Sequence, residues 1–121
     1  MNILGIGNAI VDVICKVEDN FIAQNGLTKS TMKLIFDEAE FKKLLSNLKI
    51  EKTVSGCSVA NSIVGLSQLG NKVGFIGKVC DDDLGSKYEE GLKSENVEYF
   101  YSKKKEELPT GTCLILITPD S

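Results

Sequence analysis

Asp12 sits in the run Ile10-Val11-Asp12-Val13-Ile14, where a carboxylate is out of keeping with its neighbours. The two-residue repeat of a strand puts Ile10, Asp12 and Ile14 on one face and Val11, Val13 and Cys15 on the other. A carboxylate among apolar side chains costs about 1 to 3 kcal/mol or more to desolvate unless donors reach it. Two readings follow. An ionised carboxylate has two oxygens that only accept, which suits a ligand with two adjacent hydroxyls. Alternatively the strand is an edge, and Asp12 points to water or caps backbone N–H groups. A second constellation is Gly56-Cys57-Ser58-Val59-Ala60-Asn61, a strand end followed by a helix start. Gly56 permits close backbone approach to a ligand, and Asn61 in the first helical turn can donate and accept at once, as a sugar hydroxyl requires. The competing account of Asn61 is an ordinary polar residue of a first turn.

Other groups are better explained without a ligand. Gly5-Ile6-Gly7 has Ile10 where the dinucleotide pattern needs its third Gly, and Gly65 to Lys72 has Asn71 between Gly70 and the Lys that the Walker pattern wants there. Asp81-Asp82-Asp83 lacks the alternating oxygens of a calcium loop and reads as helix capping. Lys103-Lys104-Lys105 reads as a solvated turn. Cys57 and Cys113 have no His partner in the chain and read as buried structural thiols rather than nucleophiles.

The composition limits the function classes. Among 121 residues, 14 Lys and no Arg stand against 17 acids, for a net charge of −3. No positive surplus exists to displace counterions from a nucleic-acid backbone. Without His, acid/base work falls to Asp, Glu, Lys, Tyr or Cys. The four cysteines form no C-x-x-C pair, so reduced thiols and a cytoplasmic setting are expected. No basic leader region, membrane-length apolar run or N-x-S/T site is present, and neither a membrane nor a nucleic-acid partner is expected. One domain of this length can bury roughly two-thirds of its unfolded surface.

The elements that must position these residues alternate. Strands are predicted at Ile3 to Gly7, Ile10 to Val17, Thr31 to Phe36, Thr53 to Cys57, Lys72 to Val79, Val97 to Tyr101 and Thr112 to Thr118. Helices are predicted at Asn20 to Asn25, at Glu38 to Lys49 behind Asp37 and Glu40, after an N-cap at Ser58, and from Asp81 to about Glu95. Phe41, Leu44, Leu45 and Leu48 recur at helical spacing, as do Leu84, Tyr88 and Leu92. Strands separated by helices around residues 50 to 100 imply a parallel, layered sheet, and the segments at 10–17, 31–36 and 112–118, without helical crossovers, imply a smaller all-strand flap.

Four ordered stretches, Gly5-Ile6-Gly7-Asn8-Ala9-Ile10-Val11-Asp12, Ser55-Gly56-Cys57-Ser58-Val59-Ala60-Asn61-Ser62, Leu69-Gly70-Asn71-Lys72-Val73-Gly74-Phe75-Ile76-Gly77-Lys78-Val79 and Asp81-Asp82-Asp83-Leu84-Gly85, resemble the ribokinase/PfkB carbohydrate kinase family. Pro109-Thr110-Gly111-Thr112-Cys113 and the opening Gly-x-Gly-Asn stretch look most like its adenosine kinase-like branch. The resemblance covers essentially the whole chain. It implies an α/β fold, an incomplete Rossmann-like layered sheet with helices plus a small β-strand lid. The core strand would lie at 1–8, lid segments at about 9–36 and 110–121, and core α/β at about 37–102. It further implies transfer of a phosphoryl group from ATP, with Mg2+, to a primary hydroxyl of a nucleoside or sugar.

Carried over by motif, Asp12 would bind the sugar diol, Asn8 would shape the pocket, Gly56 would lie in the hinge that closes the lid, and Asn61 would bind a sugar hydroxyl. Lid residues near Met32 to Leu34 and Cys113 to Leu116 would cover the substrate, and the resemblance allows a homodimer through the lid. The family's Gly-Gly pair is here Gly56-Cys57, so a residue that disfavours positive φ stands at the second position. The family's Gly-x-Gly-Asp motif, with its general base and anion hole, and its Asn-x-x-Glu magnesium motif do not occur in these residues. The expectation is therefore the substrate-binding N-terminal portion of a kinase, inactive by itself because phosphoryl transfer depends on the missing groups. The alternative is a non-catalytic sugar- or nucleoside-binding or subunit-interaction module.

Overall fold

The structure, a computed structural model, describes residues 1–120; the last residue of the expected 110–121 lid segment lies outside them. Residues fall into two compact units, one formed by Met1–Val13 with Thr53–Cys113 and the other by Ile14–Lys52 with Leu114–Ser121.

The first unit is built on a parallel three-stranded sheet of order β1-β4-β5, where β1 is Ile3–Ile6, β4 is Val73–Ile76 and β5 is Val97–Tyr99. Ile3 lies opposite Val73 and Val73 opposite Val97. A helix leads into β4 and another joins β4 to β5, as parallel neighbours require crossovers. α3, Ser58–Gln68, packs on β1 and β4, and α4, Asp83–Ser94, packs on β5. Ala60 and Ile63 of α3 and Tyr88 and Leu92 of α4 are buried, together with Val73, Phe75 and Val97 of the sheet. Phe75, Tyr88 and Tyr99 form one aromatic group with centroids 6.1 to 6.5 Å apart. The Tyr99 hydroxyl donates to the Gly77 carbonyl. Strand alternation turns Leu4 and Ile6 away from buried Gly5, and they remain 48% and 69% exposed. Among the described residues no helix covers the face of Leu4 and Ile6, whereas parallel sheets are usually covered on both faces.

A second sheet has the order β3-β2-β6, where β2 is Val11–Lys16, β3 is Ile50–Ser55 and β6 is Thr112–Ile117. In β2 the expected alternation holds: Val11, Val13 and Cys15 are buried, and Asp12 and Ile14 are half-buried. The second unit also holds the short helix α1, Asp19–Gln24, and α2, Glu38–Ser46. The Lys29 ammonium reaches both Asp19 and Asp120, at 2.7 and 2.8 Å.

Four expectations need correction. Thr31 to Phe36 is not a strand: its backbone joins no ladder, and Met32, Leu34 and Phe36 are exposed, because alternating apolar residues make a strand only where a neighbour supplies hydrogen bonds. The 37–102 core is not one body, since α2 and half of β3, Ile50 to Lys52, belong to the second unit; α2 buries no residue fully. Ser58 is the first helical residue rather than the cap; Cys57 takes the cap position and offers no side-chain hydrogen bond there. The three lysines do not form a free turn either. Lys103 Nζ lies 2.8 Å from Glu89, and the Lys104 carbonyl accepts from the Asp81 N–H.

Candidate functional site

Asp12 and Gly56 meet. A methyl group on Gly56 would lie 2.8 Å from each Asp12 carboxylate oxygen, and the Gly56 N–H donates to the Ile10 carbonyl at 2.7 Å. The turn after β3 is therefore pressed onto β2 with the Asp12 carboxylate between them, a fit that only a residue without a side chain permits. Among the described residues the Asp12 carboxylate accepts no hydrogen bond from the protein. Burial alone pushes its carboxyl above the ordinary aspartate value, with no donor to counter it. Asp12 thus does not cap a backbone N–H, which removes one of the two bland accounts of it.

Buried Tyr88 reaches this turn from α4: its hydroxyl donates to the Gly56 carbonyl at 3.3 Å, and Ser55 Oγ donates to the Tyr88 carbonyl at 3.1 Å. Cys57 has φ 90° and ψ 133°, a region that glycine enters freely and side-chain-bearing residues seldom adopt. The positive φ anticipated at this position is thus present with a cysteine in it. Replacing Cys57 by Gly should relieve the backbone and stabilise the chain by about 1 kcal/mol, partly offset by the freer unfolded glycine. A higher midpoint in urea unfolding checks this, and a midpoint lowered by Cys57→Gly would refute it.

The remaining site residues are more dispersed. Asn8 is exposed on a cleft of about 350 Å3 at the carboxyl ends of β1 and β4, lined also by Gly7, Gly77, Lys78 and Tyr101. Clefts at strand carboxyl ends are where open α/β sheets take ligands. Asn61 is exposed in the first turn of α3, where its backbone N–H donates to the Cys57 carbonyl at 2.9 Å. Among the described residues no hydrogen bond joins its side chain to Asp12. Cys57 and Cys113 are half-buried rather than buried, and Cys15 alone of the four cysteines is fully so. Burial pushes the Cys113 thiol up, and the Asp12 charge adds to that. A larger groove of about 610 Å3 runs along Lys78–Cys80 and Lys105–Gly111 and does not include Asp12.

The sequence reading missed the supports of this site. Asp82 is the N-cap of α4, as expected of the acidic triplet, but its carboxylate also holds Thr110. The only signal was a polar residue placed between Pro109 and Gly111.

The order of motifs and the parallel α/β layer bring the comparison with known proteins to a decision, for the family model described as pfkB family carbohydrate kinase matches residues 3–121. The chain belongs to the pfkB family of carbohydrate kinases. Its fold follows a probable sugar kinase from Rhizobium etli CFN 42, with a TM-score of 0.83 and 34% identity over 98% of this chain and 36% of that one. The adenosine kinase of Sinorhizobium meliloti aligns with a TM-score of 0.82 and 33% identity, over 98% of this chain and 36% of that one. The 5-dehydro-2-deoxygluconokinase of Clostridium botulinum (strain Eklund 17B / Type B) is 41% identical over 69 residues, covering 53% of this chain and 20% of that protein. This pfkB-family chain therefore spans about a third of the solved relatives and about a fifth of that curated one. Its layered α/β sheet is the ribokinase-like arrangement that the motifs implied. No helix of the described residues is long and apolar enough to cross a membrane.

Proposed function

We propose that this chain supplies the substrate side of an ATP-dependent kinase that phosphorylates a primary hydroxyl of an adenosine-like nucleoside or a sugar. The observation that carries the reading is the half-buried Asp12 carboxylate, desolvated and without a protein donor among the described residues, beside a glycine that leaves it open. Two vicinal hydroxyls donate into its two oxygens and repay the desolvation. Asn8 lines the neighbouring cleft, Asn61 offers an exposed amide, and the Gly56-Cys57 turn sets the depth of the site. Kinship with adenosine and sugar kinases supports this chemistry. Among the described residues no three His, Cys, Asp or Glu gather to hold a metal, so the reading assigns ATP and magnesium to the complete protein and derives no step through them. The reacting groups are assigned there too, and the chain alone binds without turnover.

Calorimetry on the purified chain with adenosine, ribose and 2′,3′-dideoxyadenosine tests the diol. Two hydrogen bonds to a charged group are worth about 3 kcal/mol or more together, so Asp12→Ala should weaken adenosine or ribose by about 100-fold or more. The dideoxy compound should bind as poorly to the unaltered chain. Because hydroxyl donors favour the ionised carboxylate, affinity should also fall as pH drops through Asp12's raised pKa, earlier than an ordinary aspartate would dictate. Equal binding by the Asp12→Ala chain, or of the dideoxy compound, would remove this reading. For the complete protein, a panel of adenosine, ribose, fructose and 5-dehydro-2-deoxygluconate with ATP and magnesium tests the branch; turnover of ribose or fructose without adenosine would overturn the nucleoside assignment.

A further inference from the structure

We infer that Asp82 and Thr110 are positioning residues for the Asp12 site, acting through the backbone of Gly111 rather than by touching a ligand. As the N-cap of α4, Asp82 has to supply one acceptor oxygen, and its Oδ1 accepts from the Gly85 N–H at 2.7 Å. The same carboxylate does more. Thr110 Oγ1 donates to Oδ1 at 2.6 Å, and the Thr110 N–H donates to Oδ2 at 2.9 Å, across 28 residues of chain. Thr110 Oγ1 also accepts from the Cys80 N–H at 3.0 Å, and Thr110 is 3% exposed.

The consequence reaches the site in two steps. The residue after Thr110 is Gly111, whose carbonyl accepts the Val11 N–H at 2.9 Å, and Val11 precedes Asp12. A continuous run of hydrogen bonds and peptide units thus joins the start of α4 to the strand that bears the carboxylate. Burial raises the Asp82 carboxyl, but the bonds from Thr110 and Gly85 outweigh it and hold the group below the ordinary aspartate value, in keeping with a charged, fully engaged acceptor. Capping alone leaves the two bonds to Thr110 unexplained; holding the entry to β6 against β2 explains them.

This inference rests on the reading of Asp12 as the diol ligand, so its test has one arm that needs no ligand. Thr110→Val removes the hydroxyl at constant shape, and Thr110→Ser keeps it. In amide exchange followed by NMR, Thr110→Val should speed exchange at Val11 about tenfold more than at Phe75, in the middle of β4, whereas Thr110→Ser should leave both unchanged. In calorimetry the Thr110→Val chain should bind adenosine or ribose about tenfold more weakly, and the Thr110→Ser chain within about twofold of the original. Equal acceleration at Val11 and Phe75, or unchanged affinity beside a loosened Val11, overturns the positioning role. Should Thr110→Val not fold, Asp82→Asn is read the same way, and a fully protected Val11 there also overturns it. Absence of binding by the unaltered chain counts against the Asp12 reading, and Val11 exchange then still decides whether the clasp holds β2.

Discussion

Alanine at position 56 should weaken the proposed sugar or nucleoside binding by about 100-fold or more while leaving the chain folded. Its methyl group would stand 2.8 Å from both oxygens of Asp12, well inside contact distance. The Asp12 carboxylate is the free end of a side chain without protein hydrogen bonds among the described residues, so it can rotate away at little cost to stability. On the proposed reading, what it loses by rotating is the orientation that would meet a diol. Gly56→Ala should therefore weaken binding at least as much as Asp12→Ala, about 100-fold or more, with the thermal midpoint moved by no more than a few degrees. The double variant should bind no worse than the weaker single one, because both remove the same interaction. Calorimetry beside a circular-dichroism melt separates the two quantities. Retained affinity in Gly56→Ala would show that ligands do not use Asp12 as oriented here.

Gly85→Ala will have the opposite signature, a loss of fold. Its methyl group would lie 1.9 Å from the Cys80 carbonyl oxygen and 3.1 Å from Asp82 Oδ1. A backbone carbonyl cannot swing aside as a carboxylate can, so the first turn of α4 must shift bodily. That shift disturbs the Asp82 cap and both bonds to Thr110. The cost should be about 3 kcal/mol or more, a large share of the stability of a small domain. The melt should drop by about 10 °C or lose its cooperativity. A midpoint within about 2 °C of the original would mean that the 80–85 turn is looser than its contacts indicate.

These two glycines mark what could be read without coordinates. Both stand in motifs quoted from the sequence, and Gly56 was assigned a close approach, yet nothing in the order of residues says that what approaches it is Asp12. Helix α4 was legible to within about two residues, expected from the acidic triplet at Asp81 to about Glu95 and found at Asp83–Ser94, because capping and apolar spacing are local and depend on side chains within one or two turns. Thr31 to Phe36 was not, because a strand is half made by its neighbour. The Thr110 hydroxyl escaped notice for a similar reason: its partners at positions 80 and 82 are far away in the chain.

Taken by itself, the order of amino acids determined the alternation of strands and helices, the carboxylate on an apolar strand, a glycine at a strand-to-helix turn and the pfkB kinship. All of these are carried by residue type and short spacing, which survive any arrangement of the distant parts. Tertiary structure alone decided that Gly56 faces Asp12 and that Asp82 grips Thr110. Each of those depends on segments tens of residues apart meeting at contact distance, and short-range forces such as hydrogen bonds and steric exclusion act only after the chain has brought them there.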